Sequence, residues 1–179
     1  MSIRQALLAL LEQGPRYGYQ LRAEFEQRTR ATWPLNVGQV YTTLARLERD
    51  GLVAKARADA TAGDAGHVLY QVTDPGRAEV AEWFTTPVPR TQPPRDELAI
   101  KLALAVTLHD VDVGSVIQHQ RSASVQSLQD LTRLKRAGVA GPESPKNLAW
   151  EFVLDSLVFA AEAEIRWLDQ CEARLRPRQ

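Results

Sequence analysis

Side chains that can hydrogen-bond to nucleic-acid bases recur along one short segment of the chain, residues 37–50. At about 100° per residue, four of them fall within an arc of about 80° on one side of a helix: Gln39, Thr42, Arg46 and Arg49. Gln can pair with adenine, Arg with guanine, and Thr can contact a phosphate or a thymine methyl group. No acidic residue lies within the arc, although Asp50 lies just outside it. The pattern predicts a DNA-reading helix face, and an ordinary solvated face is the alternative.

The opposite side of this segment is apolar and predicts a buried stripe, formed by Val40, Leu44 and Leu47. Asn36 is a good N-cap and Gly51 a common C-terminal stop, so we expect a helix over Val37–Asp50. Tyr41 lies on the edge between the two faces. Its ring can pack on the core while its hydroxyl reaches a phosphate, and a purely structural tyrosine is the alternative.

The neighbouring segments predict the elements that position this helix. Helical spacing indicates one helix over Ser2–Gln13 and a second from about Tyr17 to Thr29. Two segments of period-2 alternation, Leu52–Arg57 and Val68–Val72, predict a β-hairpin, and Thr73 caps a fourth helix. Three helices followed by a hairpin form the layout of a winged helix-turn-helix, whose third helix enters the major groove.

The predicted hairpin, or wing, carries three candidate phosphate contacts: Lys55, Arg57 and His67. Lys55 and Arg57 share one face of their strand, and His67 faces them across the loop. Asp59 and Asp64 in that loop would repel a phosphate. Lys on a short edge strand can also serve only to discourage aggregation.

A proline-rich stretch with four prolines within residues 85–95 divides the chain. We predict three regions: a DNA-binding domain over 1–86, a linker over 87–95 and a helical dimerisation domain over 96–179. Three helices are expected in the last region, over Arg95–Leu108, from Asp112 to about Ala137, and over Ser144–Arg176. The fold class is therefore mostly α with a small β-hairpin.

The last predicted helix is apolar on more than one side, so it needs packing partners on more than one side. A second subunit is the economical source of one of them. The predicted dimer interface is a stripe with spacings of three, four and seven residues: Leu154, Leu157, Val158, Ile165 and Leu168.

Composition excludes several classes of function. The 22 Lys and Arg balance the 22 Asp and Glu, so a DNA contact must come from a local arrangement of charge. The single cysteine, Cys171, fits a reducing cytoplasm, and we find no candidate membrane span.

The three histidines are dispersed and no catalytic motif appears. We therefore predict no enzyme activity, no metal and no cofactor.

Three segments resemble the PadR-like transcriptional regulators. Residues 38–53 are similar to the family's third-helix signature, G-x-[IV]-Y-x-x-L-x-R-L-x-x-x-G-L-[IV]. The segment GPRYGYQL (14–21) resembles the turn into the second helix. The segment YQVTDPG (70–76) resembles a strand-to-helix motif, with Val72 in place of leucine.

The resemblance implies a homodimeric repressor of a pseudo-palindromic DNA operator, released in some members by a small aromatic or lipophilic effector. It also implies that Tyr41, Thr42 and Arg46 contact the operator. Where the family often has basic residues before the second wing strand, this chain has His67 and Val68.

Because the net charge is zero, a winged-helix module that binds another protein, without DNA, is the alternative.

Overall fold

The computed structural model describes residues 2–56, 68–89, 95–138 and 145–175. The chain forms two compact units that divide between Val88 and Pro89. In the N-terminal unit the order is α1 (Ser2–Leu11), β1 (Arg16–Tyr17), α2 (Gly18–Thr29), α3 (Val37–Arg49), β2 (Val53–Ala56), β3 (Leu69–Val72) and α4 (Asp74–Thr85). The C-terminal unit consists of α5 (Glu97–Ala105), α6 (Val113–Gly138) and α7 (Pro145–Leu175).

The core of the N-terminal unit lies between the helices and the small sheet. It is formed by aliphatic side chains from every helix of the unit, including Leu7, Leu11, Leu21, Leu44, Leu47 and Val80. Helix α1 ends at Leu11 rather than at the predicted Gln13. Residues 12–14 instead form tight turns in which each N–H bonds to the carbonyl three residues earlier, and Gly14 takes a φ of 125°.

Helix α3 begins and ends with the predicted signals. The Asn36 side chain accepts a hydrogen bond from the Gly38 N–H at 2.8 Å. At the other end Gly51 adopts a φ of 74°, which places the Leu52 N–H 2.9 Å from the Leu47 carbonyl oxygen. The chain therefore turns directly from α3 into β2.

The sheet has three antiparallel strands in the order β1-β3-β2, not the two strands of the predicted hairpin. In the additional strand, Arg16 pairs with Tyr70 and Tyr17 with Leu69. A two-residue strand is too short to show an alternating pattern, and its paired residues are 52 and 54 positions away in the sequence. With the wing beside three helices, the N-terminal unit is a winged helix-turn-helix, as predicted.

Helices α6 and α7 of the C-terminal unit pack against each other through apolar and polar contacts. Ile117 of α6 and Leu168 of α7 are buried with Leu102 of α5. The Arg121 guanidinium forms ion pairs with Asp169 and Glu172, each at 2.6 Å. These ion pairs lie on the side of α7 that faces α6.

Two of the five residues predicted to form a dimer interface are already buried within the single chain. Leu154 and Leu168 are 1% and 0% exposed, so a partner subunit can bury no further area on them. These two side chains lie on an apolar stripe of α7 that packs within its own chain, and the dimer interface stays a prediction. Leu157, Val158 and Ile165 are half-buried.

The start of α4 is attached to the turn that follows α3. The Thr73 N–H donates to the Leu52 carbonyl oxygen at 3.0 Å, and the Thr73 hydroxyl donates to the Gly51 carbonyl oxygen at 2.7 Å. Gly76 lies so close to the Leu52 carbonyl that a β-carbon there would overlap it. Glycine at position 76 therefore lets α4 approach the backbone that orients α3.

We expect Gly76→Ala to destabilise the N-terminal unit by about 1–3 kcal/mol, because the added methyl must displace backbone. Urea unfolding followed by circular dichroism measures this loss. Gly114→Ala is the matched control, since its β-carbon would approach only the end of the Asp112 side chain. Equal midpoints for Gly76→Ala and the wild type would contradict the close approach.

A half-buried ion pair between Arg4 and Glu79 joins α1 to α4. The Glu79 carboxylate accepts hydrogen bonds from the Arg4 guanidinium and, at 3.0 Å, from the Gln5 amide. Burial by itself raises the pKa of Glu79, but the hydrogen bonds from Gln5 and Arg4 outweigh it and hold the pKa below its ordinary value of 4.5. The ionised carboxylate therefore stabilises the folded state.

Because the folded pKa is depressed, this stabilisation is present above about pH 4.5 and disappears as the pH falls through the folded value. We expect Glu79→Gln to cost about 1 kcal/mol at pH 7 and progressively less below pH 4.5. Urea unfolding between pH 7 and pH 3 measures the difference. Glu82→Gln, at an exposed position of the same helix, is the control. A constant difference across this range would show that Glu79 does not act through its charge.

Candidate nucleic-acid interface

The predicted DNA-reading face of α3 is exposed along its whole length. Val40, Leu44 and Leu47 are buried on the opposite side, and four side chains point outward: Gln39, Thr42, Arg46 and Arg49. The Thr43 hydroxyl, between the two faces, donates to the Gln39 carbonyl oxygen at 2.7 Å. The structure thus brings the predicted donors and acceptors together on one surface.

The two arginines of this face differ in what they contact. Arg49 donates from Nε and Nη2 to the Asp50 carboxylate, at 3.2 and 3.1 Å. Asp50 in turn lies 3.5 Å from Arg4 of α1. Arg46 makes no side-chain bond within the described residues, and neither do Gln39 and Thr42. These three are therefore uncommitted and available to a ligand.

Tyr41 lies at the junction of α3 with the first turn of α2. Its ring packs over Gly18, where a β-carbon would come within 2.8 Å of the ring. The side chain is nevertheless 36% exposed. Tyr41 thus has the structural contact that the sequence left open, and an exposed edge that can still meet a phosphate.

Two side chains of α2 that sequence reasoning missed lie beside Tyr41. Tyr19 and Arg22 line a cleft of about 190 Å³ between α2 and α3. Tyr19 stacks on Tyr17 with ring centroids 5.7 Å apart, and Arg22 forms an ion pair with Glu26 at 3.0 Å. The segment 14–21 contains the signal that could have found Tyr19, because it matched a family motif whose residues had no assigned role; Arg22 follows directly after that segment.

In the wing, Lys55 already has an acidic partner. Its Nζ lies 2.9 Å from Oε1 of Glu48, on the flank of α3 that faces β2. The hydrogen bond and charge of Glu48 raise the pKa of Lys55. Sequence reasoning did not single out Glu48, since it lies outside the polar arc and its partner is on another element. Arg57 and His67, the other predicted wing contacts, lie outside the described residues.

Tyr70 of β3 pairs with Lys55 of β2 in the sheet and is buried. Burial raises the pKa of Tyr70, and the nearby charge of Glu48 raises it further. The phenol therefore stays protonated near neutral pH. Its neutral ring supports the strand that carries Lys55.

Other kinds of site find no support in the described parts of the chain. No described helix combines the length and apolar composition that crossing a membrane requires. Within the same ranges, no three His, Cys, Asp or Glu side chains cluster in a way that could hold a metal ion.

Comparisons with known proteins place this geometry in a class. The profile of the "Transcriptional regulator PadR-like family" matches residues 7–82, and that of the "Virulence activator alpha C-term" matches residues 94–176. A relative from Mycobacterium tuberculosis, "Probable transcriptional regulator Rv1176c", is 26% identical over 100% of both chains. The "Negative transcriptional regulator PadR" of Bacillus subtilis is 23% identical over 72% of this chain and 70% of its own.

Solved structures of Bacillus subtilis PadR share the fold. The complex with operator DNA has a TM-score of 0.72 at 21% identity, and covers 98% of this chain and 100% of that one. The complex with p-coumaric acid has a TM-score of 0.73 at 21% identity, and covers 97% and 98%. At this identity the likeness establishes the fold alone.

The fold and the exposed α3 face define a DNA-binding winged-helix transcriptional regulator. The family whose model matches residues 7–82, the PadR-like transcriptional regulators, is the one that the sequence motifs had indicated. This family consists of transcriptional regulators rather than enzymes, in agreement with the prediction of no enzyme activity. Nothing in the comparisons favours the alternative of a protein-interaction module without DNA binding.

Proposed function

We propose that the chain is a homodimeric repressor that reads a pseudo-palindromic operator with the outward face of α3. The observation that carries this proposal is the uncommitted state of Gln39, Thr42 and Arg46 on one exposed helix face. A side chain without an intramolecular partner gives up no bond within the protein when it pairs with a base. Tyr41 and the wing contribute phosphate contacts that set the register of α3.

A second subunit is proposed because α7 exposes a second apolar face. Phe152 and Phe159 are 66% and 67% exposed, and Leu148 is 49% exposed. At about 100° per residue the three lie within an arc of about 40°, roughly opposite the stripe that contains Leu154 and Leu168. A stripe of large apolar side chains indicates a protein interface. The proposed dimer therefore uses this face. Val158 and Ile165 lie between it and the buried stripe, whereas Leu157 adjoins the buried stripe and lines a cleft with Leu131 of α6.

Repression and effector release are proposed from the relatives. The Bacillus subtilis relative is named as a negative regulator, and its solved complexes contain operator DNA and p-coumaric acid. We infer by analogy that this chain represses, and that a small aromatic or lipophilic compound releases it from DNA. We place this action in the cytoplasm, since the proposed operator is chromosomal DNA.

Arg46→Ala should weaken operator binding by about 1–3 kcal/mol, because it removes an uncommitted guanidinium that can pair with guanine. The operator is first obtained by selecting bound sequences from random duplex DNA, and affinity is then measured by fluorescence anisotropy. Arg49→Ala is the matched control on the same face, and its loss should be smaller because Asp50 already holds Arg49. Unchanged operator affinity in a folded Arg46→Ala protein would exclude Arg46 as a base reader.

The double variant Phe152→Glu with Phe159→Glu should give a folded monomer. Its operator affinity should fall about 100-fold or more, since one winged helix cannot link two half-sites. Sedimentation at micromolar concentration measures the state of assembly, and circular dichroism monitors folding. Gln129→Glu, on the exposed surface of α6, adds charge without removing an apolar side chain. A wild-type monomer, or a double variant that stays dimeric, would contradict the assignment of the dimer interface to this face.

A further inference from the structure

We propose that Glu48 is a specificity-determining residue that limits binding to non-operator DNA by holding the Lys55 ammonium until an operator phosphate replaces it. This inference rests on the proposed DNA-reading role of α3 and the wing. Glu48 does not itself contact DNA in this scheme. It acts through Lys55, and is therefore a positioning residue.

The geometry joins the two elements that would straddle the DNA backbone. Glu48 lies about 160° around α3 from Arg46, beside the buried stripe and on the side that faces β2, and Lys55 projects from β2. Their charged atoms are 2.9 Å apart, and the side chains are 34% and 56% exposed respectively. Glu48 has no other side-chain partner among the described residues. The pair is thus open to an incoming phosphate, which can compete with the carboxylate for Lys55.

The charge balance determines what this pair does to different DNA sequences. Non-specific binding comes from cations that neutralise phosphates and release counterions. A lysine already neutralised by a carboxylate contributes little to that release, and the carboxylate also repels a phosphate nearby. On an operator, base contacts from α3 bring the backbone against the wing, and their free energy offsets the loss of the ion pair. Other DNA offers no such contacts.

Asp50 is a poorer candidate for the same role. It pairs with Arg49 at 3.1 Å, but it also lies 3.5 Å from Arg4, which joins α1 to α4 through Glu79. Removing its charge therefore disturbs contacts that hold the helices together. Glu48 can be altered without touching that network.

The test compares wild type, Glu48→Gln, Lys55→Gln and the double variant on two duplexes, the selected operator and a scrambled duplex of the same composition. Anisotropy titrations are repeated over a series of salt concentrations. Glu48→Gln should bind the scrambled duplex about 3- to 10-fold more tightly at 0.1 M salt, with a salt slope steeper by about one. Its operator affinity should rise less, so the ratio of operator to scrambled affinity falls.

The Lys55→Gln background isolates the pair. There, Glu48→Gln should change binding to the scrambled duplex by less than about 2-fold, because the cation it would release is absent. Glu82→Gln, which removes one exposed negative charge from α4, should leave the affinity ratio unchanged. Urea midpoints confirm that the variants remain folded. A change in salt slope is not expected from a purely structural role of Glu48.

Two results would overturn the inference. One is that Glu48→Gln binds the scrambled duplex with wild-type affinity and salt slope. The other is that its effect is the same with and without Lys55, which would make it simple carboxylate repulsion. In both cases wild-type protein still binds its operator and Arg46→Ala still weakens that binding, so the proposed function survives. A wild-type protein that binds no selected duplex defeats the proposed function and the inference together.

Discussion

The burial of three aliphatic side chains determines which side of α3 faces solvent. Val40, Leu44 and Leu47 are each at most 1% exposed. Complete burial of one such side chain contributes about 1.5–3 kcal/mol, whereas a typical hydrogen bond contributes about 0.5–1.5 kcal/mol net. Turning the helix to bury Gln39 or Arg46 would expose these apolar side chains. The lost burial free energy would exceed the free energy gained from new hydrogen bonds. The candidate DNA-reading face depends on the apolar packing behind it.

Around that face the charges are mostly paired within the protein. Lys55 is held by Glu48 and Arg49 by Asp50, which leaves Arg46 as the uncommitted cation among these three. A zero net charge over the whole chain adds no long-range attraction toward DNA. Recognition by such a surface relies on the fit of particular donors to base edges more than on a general positive field.

The C-terminal unit shows how one helix can serve two packing tasks. One stripe of α7 is covered by its own chain, with Leu168 fully buried beside Ile117 and Leu102. The roughly opposite stripe leaves Phe152 and Phe159 two-thirds exposed. Because each apolar face needs its own cover, this second stripe is the one that the proposed dimer would bury.

Local rules allowed the order of elements and the orientation of α3 to be predicted from the sequence. The 3.6-residue period of Val40, Leu44 and Leu47, the Asn36 cap and the Gly51 stop all act within a few residues of one another. Tertiary structure alone decided three other features: the pairing of β1 with β3, the Glu48–Lys55 contact, and which apolar stripe of α7 is covered by its own chain. Each depends on elements that meet only after packing. A helix that is apolar on several sides, or an acid outside the reading face, carries no local signal of its partner.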